Sequence, residues 1–72
     1  SMSGRYQDAI NDFTKSLRLN PDNSSAYTNR ALSYKGLGKF SEALRDMLTA
    51  KEKGVAVDEI FVDELRKQAE KN

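Results

Sequence analysis

Histidine, cysteine and tryptophan are absent from this sequence, and proline occurs once, at Pro21. Without cysteine there are no disulfides and no thiol chemistry. Without either cysteine or histidine the usual zinc sites have no ligands. The same absences remove Ser-His-Asp and Cys-His catalysis, so no catalytic residue, no metal and no cofactor is expected. Neither sign of charge is in marked excess. The 12 Lys+Arg and 11 Asp+Glu leave a net charge of +1. So weak a field gives no reason to expect nucleic acid or an anionic membrane as partner. Arg5, Lys15, Arg18, Arg30, Lys35 and Lys39 are scattered among acids and do not gather with aromatics. No apolar run approaches the roughly 18 residues of a membrane span, and no signal peptide is visible. A cytoplasmic or nuclear location is the expectation.

What is present is a chain of 72 residues, 38% hydrophobic and 32% charged, sized for one small domain. Ser1-Met2 reads as the remnant of an expression tag, leaving 3–72 as the domain. Breakers divide it into four segments of helical period. The first spans 5–19, with Tyr6, Ala9, Ile10, Phe13 and Leu17 as its apolar stripe. Asn20-Pro21 ends it, because the residue before proline disfavours helix. The second spans 24–37, after the N-cap types Asp22, Asn23 and Ser24, and stops at Gly36 and Gly38. The third spans 39–53 and carries Phe40, Ala43, Leu44, Met47 and Ala50. The fourth spans 58–71 behind a candidate cap, Asp58, with Phe61 or Ile60, Leu65 and Ala69 as its stripe. No stretch alternates with period two, so the expected fold is all-α.

A shift of 34 residues superposes the first helix on the third. Gly4 meets Gly38, Tyr6 meets Phe40, Ala9 meets Ala43, Asp12 meets Asp46 and Phe13 meets Met47, while Tyr27 meets Phe61. Small residues at Ala9, Ala31, Ala43 and Ala50 would let antiparallel helices approach, and large ones beside them would fill the spaces. Tyr27, Ala31, Phe40, Ala43 and Met47 are predicted to be buried together.

The pattern Gly4, Tyr6, Ala9, Phe13, Ser16, Pro21, followed by Gly38, Phe40, Ala43, Met47, Ala50 and joined by Tyr27, Ala31, Tyr34, resembles the tetratricopeptide repeat (TPR) family over residues 4 to 53. The resemblance implies an antiparallel helix–turn–helix α-solenoid. Its frame would be 4–21 as the second helix of a first repeat, 22–57 as a complete repeat, and 58–72 as a capping helix. Val55 stands where the second repeat would carry its proline. So little of an array suggests a fragment or an edge of a larger one.

The resemblance also implies function: a scaffold whose concave face holds a peptide or partner helix. By that resemblance the lining residues are Ser25, Thr28, Asn29, Leu32, Lys35 and Gly36 on the second helix. On the fourth they are Glu59, Val62, Asp63 and Arg66. Asn29, in Tyr27-Thr28-Asn29-Arg30-Ala31, is similar to the Asn by which chaperone-binding members hold a heat-shock chaperone's C-terminal carboxylate. Glu59 and Asp63 fall where later cations of that clamp would be, and would repel an anionic tail. A third reading makes the chain a docking or autoinhibitory arm of an enzyme whose catalytic domain lies elsewhere. Gly36-Leu37-Gly38-Lys39-Phe40-Ser41 has no strand before it and reads as a turn, not a phosphate loop. Glu59 and Asp63 read as a solvated face, and the sequon Asn23-Ser24-Ser25 as a helix cap. Finally, the stripe Tyr6, Ile10, Phe13 and Leu17 is expected to lack cover within the chain and to drive homo-oligomerisation.

Overall fold

A computed structural model describes residues 1–71; Asn72, the last residue of the expected cap, lies outside them. It contains four helices: α1 (Met2–Leu19), α2 (Ser24–Gly36), α3 (Phe40–Glu52) and α4 (Glu59–Lys71). Among the described residues there is no strand. Each helix packs chiefly on the next in sequence, α1 on α2, α2 on α3 and α3 on α4.

The ends of the helices follow from their side chains. Ser1 caps α1, its Oγ accepting from the N–H of Gly4 at 3.2 Å. The helix therefore begins three residues before the expected start and takes in Met2. Asn23 precedes α2, but its side chain does not cap; Oδ1 accepts instead from the hydroxyl of Ser25 at 2.9 Å. Lys39 stands at the N-cap of α3, so that helix is one residue shorter at each end than expected. Asp58 does cap α4, with Oδ1 accepting from the N–H of Ile60 at 2.9 Å.

Gly38 and Gly54 end α2 and α3 in the same way. Both have positive φ, 76° and 96°. In each the glycine N–H donates to a carbonyl three residues back, and the following N–H to one five back: Gly38 to Lys35 and Lys39 to Tyr34, Gly54 to Lys51 and Val55 to Ala50. This left-handed closure is open to glycine at little cost.

The core is built from α2, α3 and α4: Ala31, Ala43, Met47, Val62 and Leu65, with Tyr34, Phe40, Leu44, Val57 and Phe61 packed around it. Ala31 and Ala43 are fully buried, as expected, but Tyr27 and Phe40 are only half-buried. α4 turns Leu65 inward and packs Phe61 on the core as expected, but its buried stripe is wider and takes in Val62. Val62 and Leu65 are each 1% exposed, whereas Ile60 is 72% exposed.

Where α1 meets the end of α2, the ring of Tyr6 lies directly over Gly36, leaving no room for a Cβ there. Gly36→Ala should therefore cost about 1–3 kcal/mol through overpacking. In a Tyr6→Ala background the same change should be neutral or slightly stabilising, because alanine is the better helix former. Thermal melts of the four proteins check this. A Gly36→Ala penalty unchanged by loss of the ring would disprove the contact.

Candidate functional site

α2 presents one exposed stripe, Ser25, Asn29, Leu32, Lys35 and Gly36, at spacings of three and four. Thr28 beside it is half-buried, its hydroxyl donating to the carbonyl of Ser25 at 2.9 Å. The side-chain amide of Asn29 has no hydrogen-bond partner among the described residues; the hydroxyl of Ser33 donates to its backbone carbonyl. Leu32 is 55% exposed, a large apolar side chain held in water.

On α4, Glu59, Asp63 and Arg66 are exposed as expected, but both acids are engaged. Glu59 pairs with Lys51 of α3 at 3.0 Å, and Asp63 with Arg66 at 3.2 Å. Val62 does not line this surface. It is buried in the core beside Leu65, widening the inward side of α4. Lys35 bridges the two helices, its Nζ 5.2 Å from the centroid of the Phe61 ring, an interaction worth about 0.5–1 kcal/mol when exposed.

Two open clefts of about 480 Å³ meet at Lys35. One is lined by Tyr6, Leu32, Ser33, Lys35 and Gly36. The other is lined by Lys35, Phe40, Glu64, Leu65 and Gln68. Tyr6 was expected at an oligomer surface, and Ser33, Phe40, Glu64, Leu65 and Gln68 at no binding surface. The apolar period marked Phe40 and Leu65 as core, and nothing in the pattern pointed to Ser33, Glu64 or Gln68 as binding residues.

Arg30 was also missed. Its guanidinium makes a two-point ion pair with Asp46 of α3, Nε to Oδ2 at 2.7 Å and Nη2 to Oδ1 at 2.8 Å. Nη1 donates to the hydroxyl of Thr14 on α1 at 3.1 Å. The rings of Tyr27 and Tyr34 lie 5.6 and 5.8 Å from its central carbon. One side chain thus ties three helices. Hydrogen bonding to Asp46 pushes the guanidinium above its ordinary pKa, with burial opposing. The available signal was Asp46 itself, a charge set between Ala43 and Met47 in a stripe that is otherwise core.

The expected oligomer surface is largely used within the chain. Ile10 is 4% exposed and Leu17 8%, because that side of α1 faces α2. Only Tyr6 and Phe13 of the four stay half-open.

The sequence profile described as TPR repeat matches residues 3–38, half of the chain. The chain belongs to the tetratricopeptide repeat family. The matched stretch takes in α1, α2 and the turn between them. Among curated TPR-type relatives, Hsp70-Hsp90 organizing protein 3 of Arabidopsis thaliana is 46% identical over 44 residues, covering 61% of this chain and 8% of the relative. DnaJ homolog subfamily C member 7 of Mus musculus is 40% identical over 57 residues, covering 79% and 11%. Sperm-associated antigen 1 of Rattus norvegicus is 46% identical over 41 residues, covering 57% and 5%. The chain thus spans about a tenth or less of the relatives it matches. No solved structure gives a significant match.

Proposed function

We propose that this chain is a protein-binding module without catalytic function, which holds a peptide or partner helix on the surface shared by α2 and α4. The observation that carries this reading is the exposed stripe of α2. Asn29 offers free amide donors, Leu32 an apolar contact and Lys35 a cation, all on one helical face. Few convergent polar groups beside apolar surface are what peptide recognition needs.

A second reading is supported by relatives that are named Hsp70-Hsp90 organizing proteins. In it the partner is a heat-shock chaperone's C-terminal tail, with Asn29 donating to the terminal carboxylate. Against it stand Glu59 and Asp63. Each is paired with a cation, but at an exposed site such pairs contribute only about 0–1 kcal/mol and leave acids facing an acidic tail. Titration with a chaperone C-terminal peptide should therefore show no binding tighter than about millimolar. Micromolar affinity that disappears in Asn29→Ala, and with an amidated peptide terminus, would replace the first reading by the second.

A further inference from the structure

Of the two clefts that meet at Lys35, the second holds a charge without a counter-charge. Its lining comes from three helices: Lys35 near the end of α2, Phe40 at the start of α3, and Glu64, Leu65 and Gln68 along α4. Gly38, with its positive φ, turns the chain between α2 and α3, so Phe40 lines the same cleft as Lys35. Phe40 is half-buried and Leu65 buried, which makes part of the wall apolar. Glu64 is exposed, and its carboxylate has no ion-pair or hydrogen-bond partner among the described residues. Lys35 does not neutralise it. Among the described residues no ion pair joins the two, and the Lys35 ammonium lies over the Phe61 ring instead. Glu59 and Asp63, by contrast, already hold Lys51 and Arg66. Elsewhere the chain shows what a ring and a carboxylate hold between them. The guanidinium of Arg30 lies 5.6 and 5.8 Å from the rings of Tyr27 and Tyr34 and makes its two-point pair with Asp46. Phe40 and Glu64 offer the same two elements, a ring and a carboxylate, around an open cleft of about 480 Å³.

We infer that this cleft seats an arginine side chain of the bound peptide, a specificity that rests on the binding function proposed above. The planar guanidinium stacks on Phe40 and donates two hydrogen bonds to Glu64, while its methylene stem lies on Leu65. Lysine fits less well, because an ammonium neither stacks nor bridges both carboxylate oxygens. An acidic side chain meets like charge at Glu64, with Glu59 and Asp63 on the same helix. A wholly apolar one strips water from the Glu64 carboxylate and returns no donor. The partner is therefore a neutral-to-basic segment. It carries an arginine for this cleft and an apolar residue near it for Leu32, which lines the adjoining one.

Selection of a displayed library of random short peptides on the whole chain tests this. The selected ligands are expected to share an arginine. Synthesised singly, such a peptide should shift the amide signals of Phe40, Glu64, Leu65 and Gln68. It should bind about tenfold more weakly when its arginine is replaced by citrulline, the uncharged isostere, or when the chain carries Glu64→Gln. Glu64→Arg should reject it and select peptides with an acid in place of the arginine. Glu64 is exposed, so both variants should melt like the parent. Ligands enriched without arginine, or with affinity unmoved by citrulline and by Glu64→Gln, would overturn the inference and leave the binding function standing. A library that yields no ligand would overturn both. A dimer of the chain in sedimentation that Glu64→Arg dissolves would put a second copy in the cleft and overturn the inference as well.

Discussion

Replacing Ala43 by aspartate should leave the chain unfolded at room temperature, with its helical circular dichroism lost. Ala43 is 0% exposed and touches the centre of the core, beside Ala31, Met47, Val62 and Leu65. The added carboxylate has neither room nor donors there. Overpacking alone costs about 1–3 kcal/mol, and an unpaired buried charge adds several more. A domain of this size holds only about 5 kcal/mol or little more in reserve. Ala9→Asp supplies the internal control. Ala9 occupies the corresponding place on α1 but is half-buried, so its carboxylate can reach water and the variant should still fold. A cooperative melt of Ala43→Asp within a few degrees of the parent would refute the packing described here.

Removing Asp46 should have the next largest effect. Its side chain is 5% exposed and that of Arg30 17%. Asp46→Ala leaves the guanidinium between two rings with only the hydroxyl of Thr14 as acceptor. Breaking a buried pair from one side costs about 3–5 kcal/mol. Asp46→Asn, which keeps one acceptor, should cost less. Replacing both partners by apolar residues, Arg30→Met with Asp46→Leu, should recover much of the loss, since no charge is then stranded. Urea denaturation of this set decides the matter: a loss below about 1 kcal/mol for Asp46→Ala would place the pair among ordinary surface bridges. The pH behaviour has a definite sign. The folded guanidinium is raised above its unfolded value. At neutral pH and above, where the carboxylate of Asp46 is ionised, the contribution of the guanidinium is therefore retained until the pH rises into strong alkali.

The four helices were legible because their breakers and their apolar period agree. Pro21, Gly38 and Gly54 mark the same boundaries as the stripes do. Where the period was ambiguous, the reading slipped. Ile60, Phe61 and Val62 are three consecutive apolar residues, and pattern alone cannot say which turns inward; packing on α3 selects Val62. α1 carries apolar residues over more than one side, so Ile10 and Leu17 could be satisfied by α2 while Phe13 stayed partly open. The residues of α2 that the family resemblance names are exposed, Thr28 excepted. The clefts flanking them were not legible, because they arise where residues of all four helices come together around Lys35. Arg30 could not be found from the apolar period at all. Its partners Thr14 and Asp46 each lie 16 residues away, on other helices.

That last spacing has a kinetic side. Extensive packing joins only helices adjacent in the chain, and even the side chain that joins three of them reaches no further than 16 residues in either direction. Each of the three extensive helix–helix contacts can close over one short connection, so the entropy of early steps is small. Such low contact order is the property of chains that fold within about microseconds to milliseconds. Folding can start in any hairpin and spread outward, as in a one-dimensional lattice. Arg30 sits in the central helix of the first three, where it links the α1–α2 and α2–α3 hairpins into one cooperative unit, and α4 joins that unit chiefly through α3.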